Sequence, residues 1–248
     1  MIPSFLERLS ILIGDENIEK LSCTKVLVFG AGGVGSWTAE ALVRSGIGKI
    51  GVIDHDTVCA TNINRQIEAT TLTIGQPKAS TLKKRLLEIN PECDVTSYDE
   101  LFCKENKDNF DIKNADYVID AIDSVTHKLE LIETTHASGV TLFSSMGMAF
   151  KLDPSKIKTA SIWETDVCSL ARIVRQGLRK RGFKGDFTCV YSNEQRIENR
   201  EQLTTKNEQI KNCEQTGKRI NGSIITVTAS AGLMLASLVI NDIIKNMN

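Results

Sequence analysis

A glycine-rich segment near the amino terminus constrains the fold more than any other part of this sequence. Residues 25–35 read Lys-Val-Leu-Val-Phe-Gly-Ala-Gly-Gly-Val-Gly, and Gly30, Gly32 and Gly35 have the G-x-G-x-x-G spacing. The apolar run predicts a buried strand, and the residues over 34–45 predict a helix. A strand, a glycine turn and a helix amino terminus form a phosphate cradle, because the backbone can approach the ligand and free N–H groups face the anion. A purely structural turn between strand and helix remains the alternative.

Apolar runs that alternate with helical periodicity predict an α/β fold. Strands that alternate with helices form parallel sheets covered on both faces, so we expect a Rossmann-like doubly wound sheet, mostly parallel. A ligand then binds at the carboxyl ends of the strands. The predicted strands are 25–29, 49–53, 93–98, 117–120 and 141–145, and the predicted helices are one or two over 4–22, then 34–45, 77–90, a short one near 104–110, and 125–138.

The second part of the chain predicts an elaborated extension of the same domain. One or two extended strands over 151–163 surround an Asp-Pro turn, a basic helix covers 167–181, and a short strand covers 188–192. The polar segment 193–221 predicts a mobile loop. The apolar final helix, 223–245, is expected to be buried in the domain or at a subunit interface rather than to span a membrane. We expect one domain over 1–248, with a nucleotide-binding half, 1–150, and a substrate and dimer half, 151–248.

Composition narrows the compartment and the class of partner. The formal net charge of -1 gives no overall attraction to nucleic acid, so a polyanionic partner must meet a local basic patch. The seven cysteines are scattered and form no C-x-x-C pair, which argues against a structural zinc site and a disulfide framework. No signal peptide is recognised in residues 1–14. These features predict a cytoplasmic protein.

Polar residues after the second and fourth predicted strands favour ATP as the nucleotide. Asp54 ends the second strand at the spacing where an acidic residue holds a ribose hydroxyl, which fits NAD as well as ATP. Asn62, Arg65 and Lys78 follow that strand, and Asp123 follows the fourth. Two cations and an amide suit a triphosphate, and a nearby carboxylate suits Mg²⁺. An NAD-dependent oxidoreductase is therefore a distant alternative.

These motifs resemble those of the ThiF/MoeB/HesA family of adenylating proteins, which are similar to ubiquitin-activating enzymes. The resemblance implies a protein that binds ATP and Mg²⁺, adenylates a carboxylate and releases pyrophosphate, usually as a homodimer. The segments that carry it are Gly30-Ala31-Gly32-Gly33-Val34-Gly35, Asp54-His55-Asp56, Thr61-Asn62-Ile63-Asn64-Arg65-Gln66, Lys78 and Asp120-Ala121-Ile122-Asp123.

The same resemblance implies a role for each matching residue. Lys78 would stabilise the charge that develops as pyrophosphate leaves, Asp123 would bind Mg²⁺, and Arg8 would reach the phosphates of the neighbouring subunit. The sequence around Arg8 departs from the usual Arg-x-x-Arg pattern. The implied catalytic residues are Arg65, Lys78, Asp123 and Arg8, and the implied nucleotide contacts are Gly30, Gly32, Gly33, Asp54, Asn62, Arg65, Lys78, Asp123 and Ser124.

Further segments resemble the tRNA threonylcarbamoyladenosine dehydratase branch of that family. They are Ser36-Trp37, Ile89-Asn90-Pro91-Glu92-Cys93, Asp120-Ala121-Ile122-Asp123-Ser124, Lys151-Leu152-Asp153-Pro154, Leu170-Ala171-Arg172 and Cys189-Val190-Tyr191-Ser192-Asn193-Glu194. The branch adenylates the carboxylate of N6-threonylcarbamoyladenosine beside the tRNA anticodon, and the carbamoyl group then closes a ring. The basic helix would meet tRNA phosphates through Arg172, Arg175, Arg179, Lys180 and Arg181, although a solvated helix face explains the same charges.

Two alternative functions stay open at this point. One is a sulfur-carrier-protein adenylyltransferase, in which a loop cysteine such as Cys213, or Cys189, takes part; an incidental cysteine is the simpler interpretation of both. The other is a non-catalytic nucleotide-binding partner protein, which would not need Arg65, Lys78 and Asp123 together. Accessory cysteine-desulfurase and sulfur-acceptor proteins are also open as partners.

Overall fold

The computed structural model describes residues 2–197 and 221–245. Within them, the predicted helices and strands are present with small shifts of their ends, except for the short helix near 104–110. Short 3₁₀ turns replace the predicted helix near 104–110, the longest of them at Lys107–Phe110. The helices are α1 Glu7–Ile13, α2 Asp15–Cys23, α3 Gly35–Arg44, α4 Lys78–Ile89, α5 Val125–Ala137, α6 Ser169–Lys180 and α7 Ile225–Lys245. The strands are β1 Lys25–Phe29, β2 Lys49–Ile53, β3 Asp94–Tyr98, β4 Tyr117–Asp120, β5 Thr141–Ser145, β6 Ile157–Ser161 and β7 Thr188–Ser192.

The strands form one 7-stranded sheet in the order β3-β2-β1-β4-β5-β7-β6. Every pair is parallel except β6 with β7, which is antiparallel. This confirms the predicted Rossmann-like, mostly parallel sheet. The register aligns Phe29 of β1 with Ile53 of β2 and Asp120 of β4, so the turns that follow these strands lie side by side.

The segment 151–163 contains one strand, β6, and not two. A 3₁₀ turn at Pro154–Lys156 precedes it, and the Asp153 carboxylate accepts a hydrogen bond from the Ser155 backbone N–H at 2.9 Å. Proline lacks the N–H that a ladder needs, so the chain turns there and pairing begins only at Ile157.

Helices cover both faces of the sheet, as the alternation of side chains along β1 requires. Val26 and Val28 belong to the core that packs under α2, α3, α4 and α7, whereas Leu27 and Phe29 belong to the core under α5 and α6. Successive residues of a strand point to opposite faces, so a strand covered on both sides is apolar throughout.

Helix α7 packs along α3 and forms part of this covering layer. A Cβ atom at Gly232 would lie 2.5 Å from the Val34 carbonyl oxygen, and the Thr38 hydroxyl donates to the Gly232 carbonyl at 3.1 Å. In the part of the chain that the structure describes, α7 is the one helix long and apolar enough to cross a membrane, and 44% of its most apolar window is buried. Its contacts with α3 agree with the prediction of a helix packed in the domain.

Residues 198–220 lie outside the described residues. They include most of the predicted mobile loop 193–221 and also Cys213.

Candidate active site

The glycine turn lies between the carboxyl ends of β2 and β4. The Gly30 N–H donates to the Ile53 carbonyl at 2.8 Å, and a Cβ atom at Gly30 would lie 2.8 Å from the Ala121 carbonyl oxygen. Gly30 also has φ +95°, a conformation that glycine adopts without strain. Among the residues that the structure describes, no side chain caps the amino terminus of α3. Backbone N–H groups at this end are therefore available to an anion.

Asp54 fastens the end of β2 to the glycine turn. One carboxylate oxygen accepts from the Ala31 N–H at 2.7 Å, and the other accepts from the Asp56 N–H at 2.8 Å. Burial raises the pKa of Asp54, and the positive charge of Lys78 opposes that rise. A carboxylate has about four acceptor positions, so these two bonds leave it able to accept from ribose hydroxyls.

Lys78 is buried at the start of α4 and points its charge toward the carboxyl end of β2. Its side chain is 8% exposed, and its Nζ lies 3.2 Å from Oδ2 of Asp56. The Lys78 N–H donates to the Asp56 carbonyl at 3.0 Å, so both the backbone and the side chain of Lys78 are fixed to the same residue. Asp56 also lies 3.4 Å from Nε2 of His55.

The segment 59–66 folds over the glycine turn and brings Arg65 to it. Oδ1 of Asn62 accepts from the Cys59 N–H at 3.0 Å, which leaves the amide nitrogen as the end of the side chain that can donate to a phosphate. The indole N–H of Trp37 donates to the Arg65 carbonyl at 2.9 Å. A Cβ atom at Gly33 would lie 3.1 Å from Cγ of Arg65, so the absence of a side chain at Gly33 makes room for the arginine.

Contacts within the segment orient the Arg65 guanidinium. Its Nη1 donates to the Thr61 carbonyl and to Oδ1 of Asn64, both at 2.9 Å. Asn64 in turn donates to the Ser223 carbonyl at 2.9 Å, which ties this segment to the residues before α7.

The segment after β4 carries the remaining predicted contacts. Asp123 is exposed, and Ser124 lies directly before α5. The Ala121 carbonyl packs against Gly30, so Asp123 follows two residues after a direct contact with the glycine turn. The structure thus gathers Gly30, Asp54, Lys78, Arg65 and the segment 121–124 at one edge of the sheet.

Arg8 lies apart from this edge within its own chain. It is exposed on α1, two residues after Leu6, and Leu6 packs against Gly46. Gly46 precedes β2, at the amino end of the sheet, whereas the glycine turn lies at the carboxyl end. A reach to the phosphates of a neighbouring subunit stays a prediction.

The residues predicted to bind tRNA differ in their surroundings. Arg172 and Lys180 are exposed, and the Arg179 guanidinium stacks 5.5 Å from the centre of the Trp163 ring. Arg181 is paired with Glu133 at 2.5 Å. Nη1 of Arg175 donates to the Thr165 carbonyl at 2.8 Å, so this arginine also supports the turn before α6.

Two buried charged residues near the site were not singled out from the sequence. Glu68 is 2% exposed, so its carboxyl group is enclosed by the protein. Burial raises the pKa of Glu68 to about 7, against the opposing effects of its own backbone and of the Lys78 charge. Lys128 is fully buried and pairs with Asp120 at 2.7 Å. Their sequence positions gave no signal, because charged residues on helices and turns are usually exposed.

The structure favours the simpler interpretation of Cys189, that of an incidental cysteine. This residue is fully buried, and burial raises the pKa of its thiol well above the ordinary value. A thiol that stays protonated is a poor nucleophile.

Comparisons with known proteins extend the resemblance to almost the whole chain. The ThiF family model matches residues 6–247. A tRNA threonylcarbamoyladenosine dehydratase of Bacillus subtilis is 38% identical over 242 residues, which is 97% of this chain and 94% of that protein. The crystal structure of the Escherichia coli tRNA N6-threonylcarbamoyladenosine dehydratase in complex with AMP superposes with a TM-score of 0.84 at 32% identity, covering 96% of this chain and 92% of that one. A complex of that enzyme with ATP has a TM-score of 0.82.

A second kind of relative matches a shorter region. A sulfur carrier protein adenylyltransferase of Thermus thermophilus is 38% identical over 112 residues, which is 45% of this chain and 41% of that protein. The match to the Bacillus subtilis dehydratase therefore extends through the second part of the chain, whereas this second match covers less than half of the chain.

Proposed function

Because this chain belongs to the ThiF family, we propose that it is an ATP-dependent tRNA threonylcarbamoyladenosine dehydratase. It adenylates the carboxylate of N6-threonylcarbamoyladenosine next to the tRNA anticodon, closes the ring within that nucleoside, and releases AMP and pyrophosphate. The observation that carries this proposal is the match to the Bacillus subtilis enzyme along 97% of this chain and 94% of that protein.

The first step needs positive charge more than it needs a nucleophile. The substrate carboxylate oxygen attacks the α-phosphorus of ATP, and the bond from that phosphorus to the leaving pyrophosphate breaks. Two anions must approach, so fixed cations lower the barrier. Lys78 is buried and fixed through Asp56, and Arg65 is fixed over Gly33, so both reach the phosphates already oriented.

The residues at this edge of the sheet fit Mg²⁺ bound together with the nucleotide. Mg²⁺ prefers oxygen ligands and commonly takes one or two carboxylates plus phosphate oxygens and water. Asp123 supplies an exposed carboxylate beside the glycine turn. The Asp54, His55 and Asp56 cluster has ligand atoms within 4.8 Å of one another, but Asp54 already binds backbone N–H groups and Asp56 pairs with Lys78. Asp123 is therefore the residue we assign to the metal, whose bound form would neutralise phosphate charge.

The second step is intramolecular. The carbamoyl group attacks the carbonyl carbon of the adenylate, the bond from carbon to the phosphate oxygen breaks, AMP leaves, and a proton passes to solvent. Because both reacting groups belong to one nucleoside, proximity supplies the acceleration and no enzyme thiol is required. The burial of Cys189 agrees with this scheme.

We further propose that α6 contacts the tRNA. Cys168, directly before α6, lies near Gly147, which follows β5, so the helix begins at the carboxyl edge of the sheet. Arg172 is exposed one turn into the helix, and Lys180 and Arg181 lie toward its end. A phosphate backbone that enters at the site can therefore follow this helix.

The active form is proposed to be a homodimer in the cytoplasm, where ATP and tRNA are available. On α1, Ile11 is 87% exposed and Leu12 is 79% exposed, and Leu233 of α7 is 52% exposed. Exposed apolar side chains of this size suit burial against a second copy. Such a contact would give Arg8 of α1 access to the other subunit. Accessory cysteine-desulfurase and sulfur-acceptor proteins remain proposed partners.

The test is conversion of a defined substrate. The protein is incubated with ATP, Mg²⁺ and tRNA that carries the open form of the modification, and the nucleosides are measured by mass spectrometry. We expect the cyclic nucleoside with equal amounts of AMP and pyrophosphate. Unchanged nucleoside, together with pyrophosphate exchange that requires a carrier protein ending in Gly-Gly, would instead identify a sulfur-carrier adenylyltransferase.

A further inference from the structure

Lys128 is a fully buried lysine one turn into α5. Its Nζ donates to Oδ2 of Asp120 at 2.7 Å, to the Ser145 carbonyl at 3.0 Å and to the Ser144 hydroxyl at 3.3 Å. The Ser144 hydroxyl itself donates to Oδ2 of Asp120 at 2.7 Å. All three protons of the ammonium therefore have acceptors, and the network joins the carboxyl ends of β4 and β5.

A buried ion pair contributes little net stability to a protein core. Removing two charges from water costs free energy that their attraction barely recovers, and apolar residues of similar volume often give equal or greater stability. The network therefore needs an explanation beyond stability. A buried pair with fixed partners does restrict geometry, because only one arrangement satisfies every donor and acceptor.

What the network fixes is the turn after β4. The second oxygen of Asp120 accepts from the Ile122 N–H at 3.1 Å, which bends the chain sharply after the strand. The bend presses the Ala121 carbonyl against Gly30. One carboxylate thus connects Lys128 to the segment that carries Asp123.

We propose that Lys128 is a positioning residue for adenylation: it fixes Asp120, and through Asp120 it sets the place of the 121–124 segment beside the glycine turn. Lys128 also neutralises Asp120, so that no uncompensated negative charge lies at the end of β4 where a triphosphate must bind. The catalytic part of this inference, that Lys128 promotes adenylation, rests on the proposed function. The structural part, that Lys128 sets the place of the 121–124 segment, does not.

The variants Lys128→Met, Asp120→Asn, the double variant and Ser144→Ala separate position from folding. Lys128→Met leaves a buried charge without its partner, so it is the variant most prone to misfolding. The double variant removes both charges, and Ser144→Ala removes one hydroxyl without exposing a charge. Thermal unfolding and AMP affinity are measured for each protein beside turnover.

We expect kcat to fall about 100-fold in Lys128→Met and about tenfold in Ser144→Ala, because small displacements at a reacting centre are costly. AMP affinity should stay within about twofold in folded variants, since Asp54 and the glycine turn are intact. If Lys128 acts through Asp120, its removal in the Asp120→Asn background should cost little more than Asp120→Asn alone.

A readout that does not depend on turnover is hydrogen exchange of the peptide that spans 120–124. Its amides should exchange at least about tenfold faster in Lys128→Met and in Ser144→Ala, while exchange in β1 is unchanged. Unaltered exchange of this peptide would overturn the structural part. If the wild type is active and the folded Ser144→Ala and double variants turn over at the wild-type rate, the catalytic part is overturned. If the wild type itself is inactive, only the proposed function is overturned.

Discussion

Replacing Lys78 with methionine should separate catalysis from folding. The side chain is 8% exposed and pairs with Asp56, whose side chain is 37% exposed. Since water solvates the Asp56 carboxylate, losing this pair alone should cost at most about 1 kcal/mol of folding free energy. Loss of the Lys78 charge beside the buried Asp54 and Glu68 adds to that cost. Removing one oriented cation from a reacting phosphate should cost about 3 to 4 kcal/mol of transition-state stabilisation, a fall in kcat of about 100-fold to 1,000-fold.

The assay measures the cyclic nucleoside and AMP by mass spectrometry, with thermal unfolding measured on the same sample. Lys84→Met is the matched control, because Lys84 is exposed on the same helix and should leave both quantities unchanged. A folded Lys78→Met protein whose kcat stays within about threefold of the wild type would refute the electrostatic role of Lys78.

Three further changes test other parts of the account. Trp37→Phe removes the indole hydrogen bond to the Arg65 carbonyl but keeps an aromatic ring at that position. In steady-state kinetics we expect kcat/KM for ATP to fall about fivefold to tenfold. The KM for ATP should rise, because Arg65 is held less firmly at the site. Glu68 has a pKa raised from 4.5 to about 7 in the folded protein, so folding favours its neutral form, and its contribution to stability is lost as pH rises through that window. Denaturant unfolding measured between about pH 5 and about pH 8 should therefore show a loss of about 3 kcal/mol of unfolding free energy. The Glu68→Gln variant should not show this loss. Arg172→Ala should weaken tRNA binding and lower the slope of log affinity against log salt concentration by about one, without changing stability. Arg175→Ala should have the same effects on binding and should also lower the unfolding temperature, because Arg175 supports the turn before α6.

The sheet could be predicted because its strands are apolar on both faces. Runs such as Val26–Phe29, followed by a glycine turn, predict strands that are buried on both faces, and the loops after β1, β2 and β4 then meet at one edge of the sheet. Gly30, Asp54 and Lys78 were therefore expected together, and the structure places them there.

The antiparallel edge was less predictable. The position of β7 between β5 and β6 depends on contacts between segments far apart in sequence, which local periodicity does not record. For the segment 151–163 the sequence left one or two strands open, and the turn at Pro154 explains why only one, β6, is present there.

The burial of charged residues was the main feature that could not be predicted from the sequence. Lys128 and Glu68 carry side chains that are solvated in most proteins, and only the assembled core shows that both are enclosed. Arg175 was predicted, like Arg172, to meet tRNA phosphates, yet its guanidinium donates to the Thr165 carbonyl because Arg175 is only partly exposed on α6.

An oxygen label tests most directly whether this site transfers AMP to a nucleoside carboxylate. The threonyl carboxylate of the substrate tRNA is labelled with heavy oxygen, and the released AMP is weighed after a single round of reaction. Attack by the carboxylate on the α-phosphorus, followed by loss of AMP during ring closure, leaves one labelled oxygen on AMP, so labelled AMP is expected. Cyclic product accompanied by unlabelled AMP would contradict the account.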